Sequence, residues 1–214
     1  MNQEDVANFI FEALRERFPN AQCELEYETP LDLLVATVLS AQCTDDRVNQ
    51  VTRSLFAELR TPADYLNLGQ HVLEEKIKSL GLFRTKAKNI LALCRILIEE
   101  YGGEVPRDIE KLKELPGVGR KTANVVASNA FGIPALAVDT HVFRVARRLG
   151  LAKGNTPEKV EEELKSRFPR ERWSKLHHLL IFHGRRVCTA RKPDCKSCPV
   201  VRVCAAQAQT QVQA

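Results

Sequence analysis

Apolar residues recur at helical spacing through most of this chain. Val6, Phe9, Ile10, Ala13 and Leu14 fit one face of a helix near the start; Ala87, Ile90, Leu91, Cys94, Leu97, Ile98 and Tyr101 fit another near the middle. Both segments are expected to be amphipathic core helices. Thr29-Pro30, Thr61-Pro62 and Thr156-Pro157 each place a capping hydroxyl before a proline whose missing N–H costs nothing in a first turn, so each should open a helix. Gly81, Gly102-Gly103, Gly132, Gly150 and Gly184 follow periodic segments and read as helix stops. The one extended-looking stretch, 133–138, is short and has no alternating partner, so the pattern predicts an all-α protein. No fixed-period repeat or long linker interrupts it, and the Gln/Ala-rich tail 205–214 is expected to fray.

Composition narrows the class. A hydrophobic fraction of 44% against 28% charged is the balance of a globular domain, which argues against a disordered or membrane chain. A length of 214 residues accommodates two small lobes, each with its own core. The acidic opening Met1-Asn-Gln-Glu-Asp has no basic region or cleavage site, and the longest apolar run, Leu31 to Ala41, is too short to span a bilayer. An intracellular protein without a membrane partner is expected.

The net charge of +5 tilts the odds only slightly towards an anionic partner, but its distribution says more. Between His183 and Cys204 six basic residues, Arg185, Arg186, Arg191, Lys192, Lys196 and Arg202, face the single acid Asp194, so this stretch carries an excess equal to the whole chain's. A solvated loop and a phosphate-binding loop both fit that pattern.

The segment Leu115-Pro-Gly-Val-Gly-Arg-Lys-Thr-Ala123 lies between two short amphipathic patterns, Ile109/Leu112/Leu115 and Ala123/Val126/Ala127/Ala130. It reads as helix, tight turn, helix. Gly117 and Gly119 let the backbone turn without a Cβ in the way, so N–H groups at the second helix's start can point at an anion, and the neighbouring Arg120-Lys121 pair favours a DNA phosphate over a plain αα-turn. Lys121 falls in that helix's first turn, where the positive end of the dipole favours an uncharged, nucleophilic amine, most of all in a dry site. Most lysines are solvated or touch phosphate, so Lys121 needs a partner before catalysis follows.

Asp139, in Val138-Asp-Thr-His-Val142, follows an apolar run and precedes a helix with Val142, Val145, Ala146 and Leu149 on its buried face. That is an N-cap position, where a carboxylate usually does no more than satisfy backbone N–H groups. A carboxylate held there is also able to stabilise a cationic sugar, as in glycoside cleavage.

Seven cysteines are present, and four of them form Cys188-x6-Cys195-x2-Cys198-x5-Cys204, a metal or cluster pattern that spacing alone does not divide between structural zinc and iron–sulfur. Cys23, Cys43 and Cys94 are scattered and are assigned no function.

Taken together, the helix-hairpin-helix turn with its lysine, Val-Asp-Thr-His-Val and the cysteine spacing resemble the endonuclease III family of DNA glycosylase/lyases, over nearly the whole chain. Leu39-Ser-Ala-Gln-Cys-Thr-Asp45 and Leu80-Gly-Leu-Phe83 look like that family's DNA-facing loops. The resemblance implies two helical domains, one over 23–132 containing the helix-hairpin-helix motif and one from 1–22 plus 133–214 carrying the cluster loop, with the active-site cleft between them. It implies that Lys121 attacks the deoxyribose C1′, that Asp139 assists departure of the base, and that the resulting Schiff base eliminates the 3′ phosphate. Gln42 would fill the space of the extruded nucleotide while Leu82 wedges the opposite strand; their plainer readings are a helix-end amide and a core leucine. Cys188, Cys195, Cys198 and Cys204 would hold a 4Fe-4S cluster, with Arg185, Arg186, Arg191 and Lys192 on the DNA backbone. His141 stands with the DNA-facing residues, a satisfied structural imidazole being its other reading. The implied partner is double-stranded DNA with a damaged, oxidised-pyrimidine or abasic nucleotide, met by a monomer in the cytoplasm at the nucleoid. A mismatch-type glycosylase and a non-catalytic DNA-binding module with a structural metal are the rival readings.

Overall fold

A computed structural model describes residues 2–207. Every regular element among them is helical: α1 (Gln3–Arg17), α2 (Pro30–Leu39), α3 (Asp45–Glu58), α4 (Pro62–Leu68), α5 (Gln70–Ile77), α6 (Phe83–Tyr101), α7 (Ile109–Glu114), α8 (Arg120–Phe131), α9 (Thr140–Leu149), α10 (Pro157–Arg167) and α11 (Trp173–Arg186), with short 3-10 turns at Arg170–Arg172 and Val201–Val203. The all-α class follows, and the segment 133–138 runs extended without joining a sheet. The chain divides into two compact units, Cys23–Ile133 and Met1–Gln22 with Pro134–Ala214, each with its own core.

In the Cys23–Ile133 unit, α2 is the central element. Every residue from Leu31 to Leu39 is buried, so the apolar run in the sequence is a helix covered on all sides, by α3, α6 and α8. Its one acid, Asp32, is buried because it completes a capping box: Thr29 Oγ1 accepts from the Asp32 N–H, and Asp32 accepts from the backbone of Thr29 and Glu28. Thr61 and Asp64 repeat the device at α4, and Thr156 caps α10. The three Thr-Pro starts are therefore as expected.

In the other unit α9 packs along α11, and α1 also lies on α11. Val142, Val145, Ala146 and Leu149 are all buried, as their periodicity requires. Elsewhere the periodic faces needed adjustment. Phe9 is 42% exposed while Ala7 and Phe11 are buried with Ile10 and Leu14, so the core stripe of α1 is rotated by roughly a quarter of a turn from the expected one. In α6, Leu93 joins the core and Ile98 lies outside it.

Two glycines differ from expectation. Gly81 is not a left-handed stop; α5 has ended by Lys78, and the left-handed residue is Leu82. Gly184 lies inside α11 and ends nothing. A Cβ there would come within 3.0 Å of Val145 Cγ2 and 3.2 Å of His141 Cβ, so the missing side chain is what lets α9 approach. Gly102, Gly132 and Gly150 do close α6, α8 and α9 in the left-handed region. Of the tail expected to fray, 208–214 lie outside the described residues, whereas Ala205–Gln207 are helical, with Ala205 Cβ close against Gly150.

Burial in α11 has a consequence for acid stability. The His178 imidazole is pushed down from 6.5 to about 3, first by burial, then by His177 and Lys175. The fold therefore holds the neutral ring. Its stabilising contribution is complete above pH 6.5 and is lost as pH falls from there towards 3, at up to about 1.4 kcal/mol per pH unit for one proton. Urea midpoints at pH 7.5 and 5 should converge by about that slope in His178→Gln; an unaltered slope contradicts the assignment.

Candidate active site

The turn 115–119 is built by two backbone bonds, Leu115 N–H to Leu112 O at 3.2 Å and Val118 N–H to Leu115 O at 3.0 Å. Gly117 is left-handed at φ +79°, and a Cβ there would fall 2.9 Å from Asn89 Nδ2 of α6, so conformation and packing both demand glycine. Gly119 differs from expectation. Its backbone is extended, which any residue adopts, and nothing lies within 4 Å of the Cβ position. What it leaves is open space in front of a helix start with no side-chain cap. The start of α8 is therefore left without a side-chain cap and with room for an anion in front of it.

Lys121 stands in that first turn and is exposed, with no ion-pair partner among the described residues. Arg120 beside it is exposed as well.

Asp139 is the N-cap of α9, half-buried, and Oδ1 accepts the Val142 N–H at 2.8 Å. Its second oxygen is uncommitted among the described residues. His141 follows in the first turn. Burial lowers its proton affinity most, Arg144 and Arg185 lower it further, and Asp139 and the Gly184 carbonyl oppose. Its Nδ1 lies 3.3 Å from Arg144 Nη2. With these partners the imidazole fits the plainer, structural reading.

Gln42 and Leu82 share one property that the sequence did not reveal. They are the two non-glycine residues with positive φ among the described residues, at 57° and 59°. Such backbones are costly for residues with a Cβ and gather at sites that use them. Leu82 is also 56% exposed, the most exposed of the large apolar side chains, so it is not a core leucine. Gln42 is exposed in the turn between α2 and α3.

The four clustered cysteines are all half-buried. Cys198 is held above the ordinary thiol range, chiefly by burial, with the sulfurs of Cys204, Cys188 and Cys195 near enough to add to the effect and the Val200 N–H opposing it. Nitrogen atoms face three of the sulfurs: the donors Arg148 Nη1 at 3.5 Å from Cys188 and Gln207 Nε2 at 3.1 Å from Cys195, and the ring nitrogen His183 Nε2 at 3.7 Å from Cys198. Among the described residues no three His, Cys, Asp or Glu side chains converge on a single-ion position. Arg185, Arg191 and Lys192 are exposed, while Arg186 lies over the Phe182 ring at 3.9 Å from its centre.

Residues 35–170 match the model of the HhH-GPD superfamily base excision DNA repair proteins. The chain is 54% identical to endonuclease III of Rickettsia conorii over 94% of this chain and 96% of that one, and 52% identical to endonuclease III of Bacillus subtilis over 92% and 90%. The chain belongs to the endonuclease III family. A structure described as a trapped endonuclease III–DNA covalent intermediate superposes with a TM-score of 0.93 at 48% identity, covering 99% of this chain and all of that one. A non-covalent endonuclease III–DNA complex fits equally well, and a thermostable thymine-DNA glycosylase, at 23% identity and a TM-score of 0.87, shares the fold.

Two arginines of this endonuclease III family member went unnoticed in the sequence. Arg144 Nη2 donates to the carbonyls of Gly184 at 2.9 Å and Cys188 at 3.2 Å, and Arg148 donates to Thr189 O at 2.7 Å and Ala190 O at 2.9 Å. One turn apart on α9, they pin the start of the basic loop. Their four-residue spacing on the polar face of α9 was the available signal. Arg148→Met should therefore free the loop, and trypsin should cut after Arg191 several-fold faster than in the wild type, since charge-assisted hydrogen bonds contribute about 1.5–3 kcal/mol each. An equal cutting rate would show that the loop is held by something else.

Proposed function

We propose that Lys121 is the nucleophile and Asp139 the assisting carboxylate of this enzyme. The chain is a DNA base-excision repair enzyme of the glycosylase and abasic-site lyase kind, by its family. The observation that carries the assignment is the exposed amine of Lys121, unpaired among the described residues, in the first turn of a helix with no side-chain cap. The N–H groups of that helix start, with Gly117 shaping the turn and Gly119 leaving it open, receive a DNA phosphate, which brings a backbone sugar to the lysine. Covalent trapping of a related endonuclease III on DNA supports an amine nucleophile here.

The neutral amine attacks C1′ of the extruded nucleotide, and the glycosidic bond breaks with its electron pair leaving on the base. The free oxygen of Asp139 stabilises the cationic sugar as the base departs. Ring opening gives an imine between Lys121 and C1′. The imine acidifies the C2′ proton, whose removal expels the 3′ phosphate by β-elimination. One nitrogen thus serves both activities. Gln42 occupies the vacated stack and Leu82 parts the opposite strand, their left-handed turns presenting both side chains outward. Arg120, Arg185, Arg186, Arg191 and Lys192 contact backbone phosphates, and His141 serves by holding the start of α9 in place. Oxidised pyrimidines in double-stranded DNA are the substrates, and the enzyme acts as a cytoplasmic, nucleoid-associated monomer.

Cys188, Cys195, Cys198 and Cys204 hold a 4Fe-4S cluster. Four neighbouring thiols, with N–H groups aimed at two of them and the His183 ring nitrogen near a third, suit thiolates that carry negative charge. The cluster's contribution when bound is a rigid anchor for the basic loop, since amine chemistry requires no electron transfer.

Borohydride trapping on DNA containing an oxidised pyrimidine should give a covalent adduct with the wild type and none with Lys121→Ala. Asp139→Asn should keep DNA affinity within about threefold and lose base excision by about a hundredfold or more. An adduct formed by Lys121→Ala refutes the nucleophile, and equal loss of binding and excision in Asp139→Asn refutes its role. Purified protein should carry four irons per chain with broad visible absorbance. Stoichiometric zinc in their place refutes the cluster.

A further inference from the structure

Lys86 is only 3% exposed, in the first turn of α6. An ammonium so deeply placed ordinarily requires a carboxylate, but among the described residues its side chain has a single partner, the Cys43 thiol, with Nζ 3.3 Å from Sγ. The two ends of this bond occupy unusual neighbourhoods. Cys43 directly follows Gln42, and its N–H closes the turn back to Ser40 O at 3.0 Å. Lys86 lies four residues after Leu82, and its N–H bonds Leu82 O at 3.0 Å. The bond therefore spans 43 positions of sequence and joins the two turns whose left-handed residue is not glycine among the described residues.

Each turn holds a residue with a Cβ in a disfavoured conformation; the start of α6 has no side-chain cap, whereas Thr44 caps α3 two residues after Gln42. Such backbones persist only where surrounding contacts over-determine them. We propose that Lys86 is a positioning residue: its buried ammonium, bonded to Cys43, braces the Gln42 turn against the Leu82 turn so that both side chains meet the duplex at a set separation. The inference rests on the DNA-facing reading of Gln42 and Leu82 given above. It gives Cys43, set aside in the sequence as a small hydrophobe, a role as the acceptor of the brace.

A brace of this kind affects extrusion of a stacked base more than chemistry on a site that has already lost its base, because an abasic nucleotide leaves the helix at lower cost. The test compares single-turnover excision of an oxidised pyrimidine with strand cleavage at a preformed abasic site, and follows extrusion through 2-aminopurine placed beside the lesion. Lys86→Met, which keeps the apolar stem, should slow excision and the fluorescence rise by about tenfold to a hundredfold, as sub-ångström misplacement does, while abasic-site cleavage falls by a much smaller factor. Cys43→Ser, which keeps an acceptor, should retain more excision than Cys43→Ala, and the double variant Lys86→Met/Cys43→Ala should be no worse than Lys86→Met alone. Should Lys86→Met fail to fold, the comparison of Cys43→Ala with Cys43→Ser decides. Wild-type extrusion in the variants, or equal losses in both reactions that track a lowered melting temperature, overturns the brace. Gln42→Ala and Leu82→Ala run alongside; wild-type excision by both would instead overturn the reading of the turns on which the brace rests.

Discussion

The structure depends most on the way α8 begins. Gly117 must be left-handed and must have no side chain, because Asn89 of α6 occupies the place where one would go. That double demand fixes the hairpin against the core of its unit and starts the next helix without a side-chain cap for its N–H groups. A side-chain cap would have satisfied those groups internally. Leaving them open costs local stability and creates a position where an anion is the natural acceptor. On the proposed reading, the lysine two residues into that opening is where a phosphate-anchored sugar meets an amine, and the remaining catalytic assignments follow from it.

The second unit solves a different problem, that of holding a long irregular loop without regular structure. It does so with side chains from α9. Gly184 lets that helix lie close on α11, and the closeness brings Arg144 and Arg148 within reach of four carbonyls at the end of α11 and the start of the loop. The same α9 begins with Asp139 and ends near the cysteines, with the Arg148 carbonyl accepting from Cys204 at 3.3 Å. One helix thus positions both the carboxylate and the basic loop.

Local chemistry was the legible part of the sequence. Thr-Pro caps, the hairpin glycine and the N-cap aspartate are short-range signals, and the structure places each as its pattern demands. Long-range packing was not legible. Gly184 carried a stop's signature but answers to a helix packed on it from 40 residues away, as its Arg144–Gly184 bond shows. Phe9 was placed in the core because periodicity cannot tell which of two adjacent stripes meets a neighbour. The positive φ of Gln42 and Leu82 went unseen for a related reason: side chains that tolerate ordinary backbones give no sign when tertiary structure forces a strained one. The Lys86–Cys43 bond is of the same kind, since neither residue type announces the other.

The central claim is that one nitrogen, on Lys121, bonds to the sugar. Peptide mapping by mass spectrometry of the borohydride-reduced enzyme–DNA adduct, after protease and nuclease digestion, tests it most directly. The account predicts the sugar-derived mass increment on Lys121 and on no other lysine. The increment on the N-terminal amine, on Lys86 or on any other residue would contradict it.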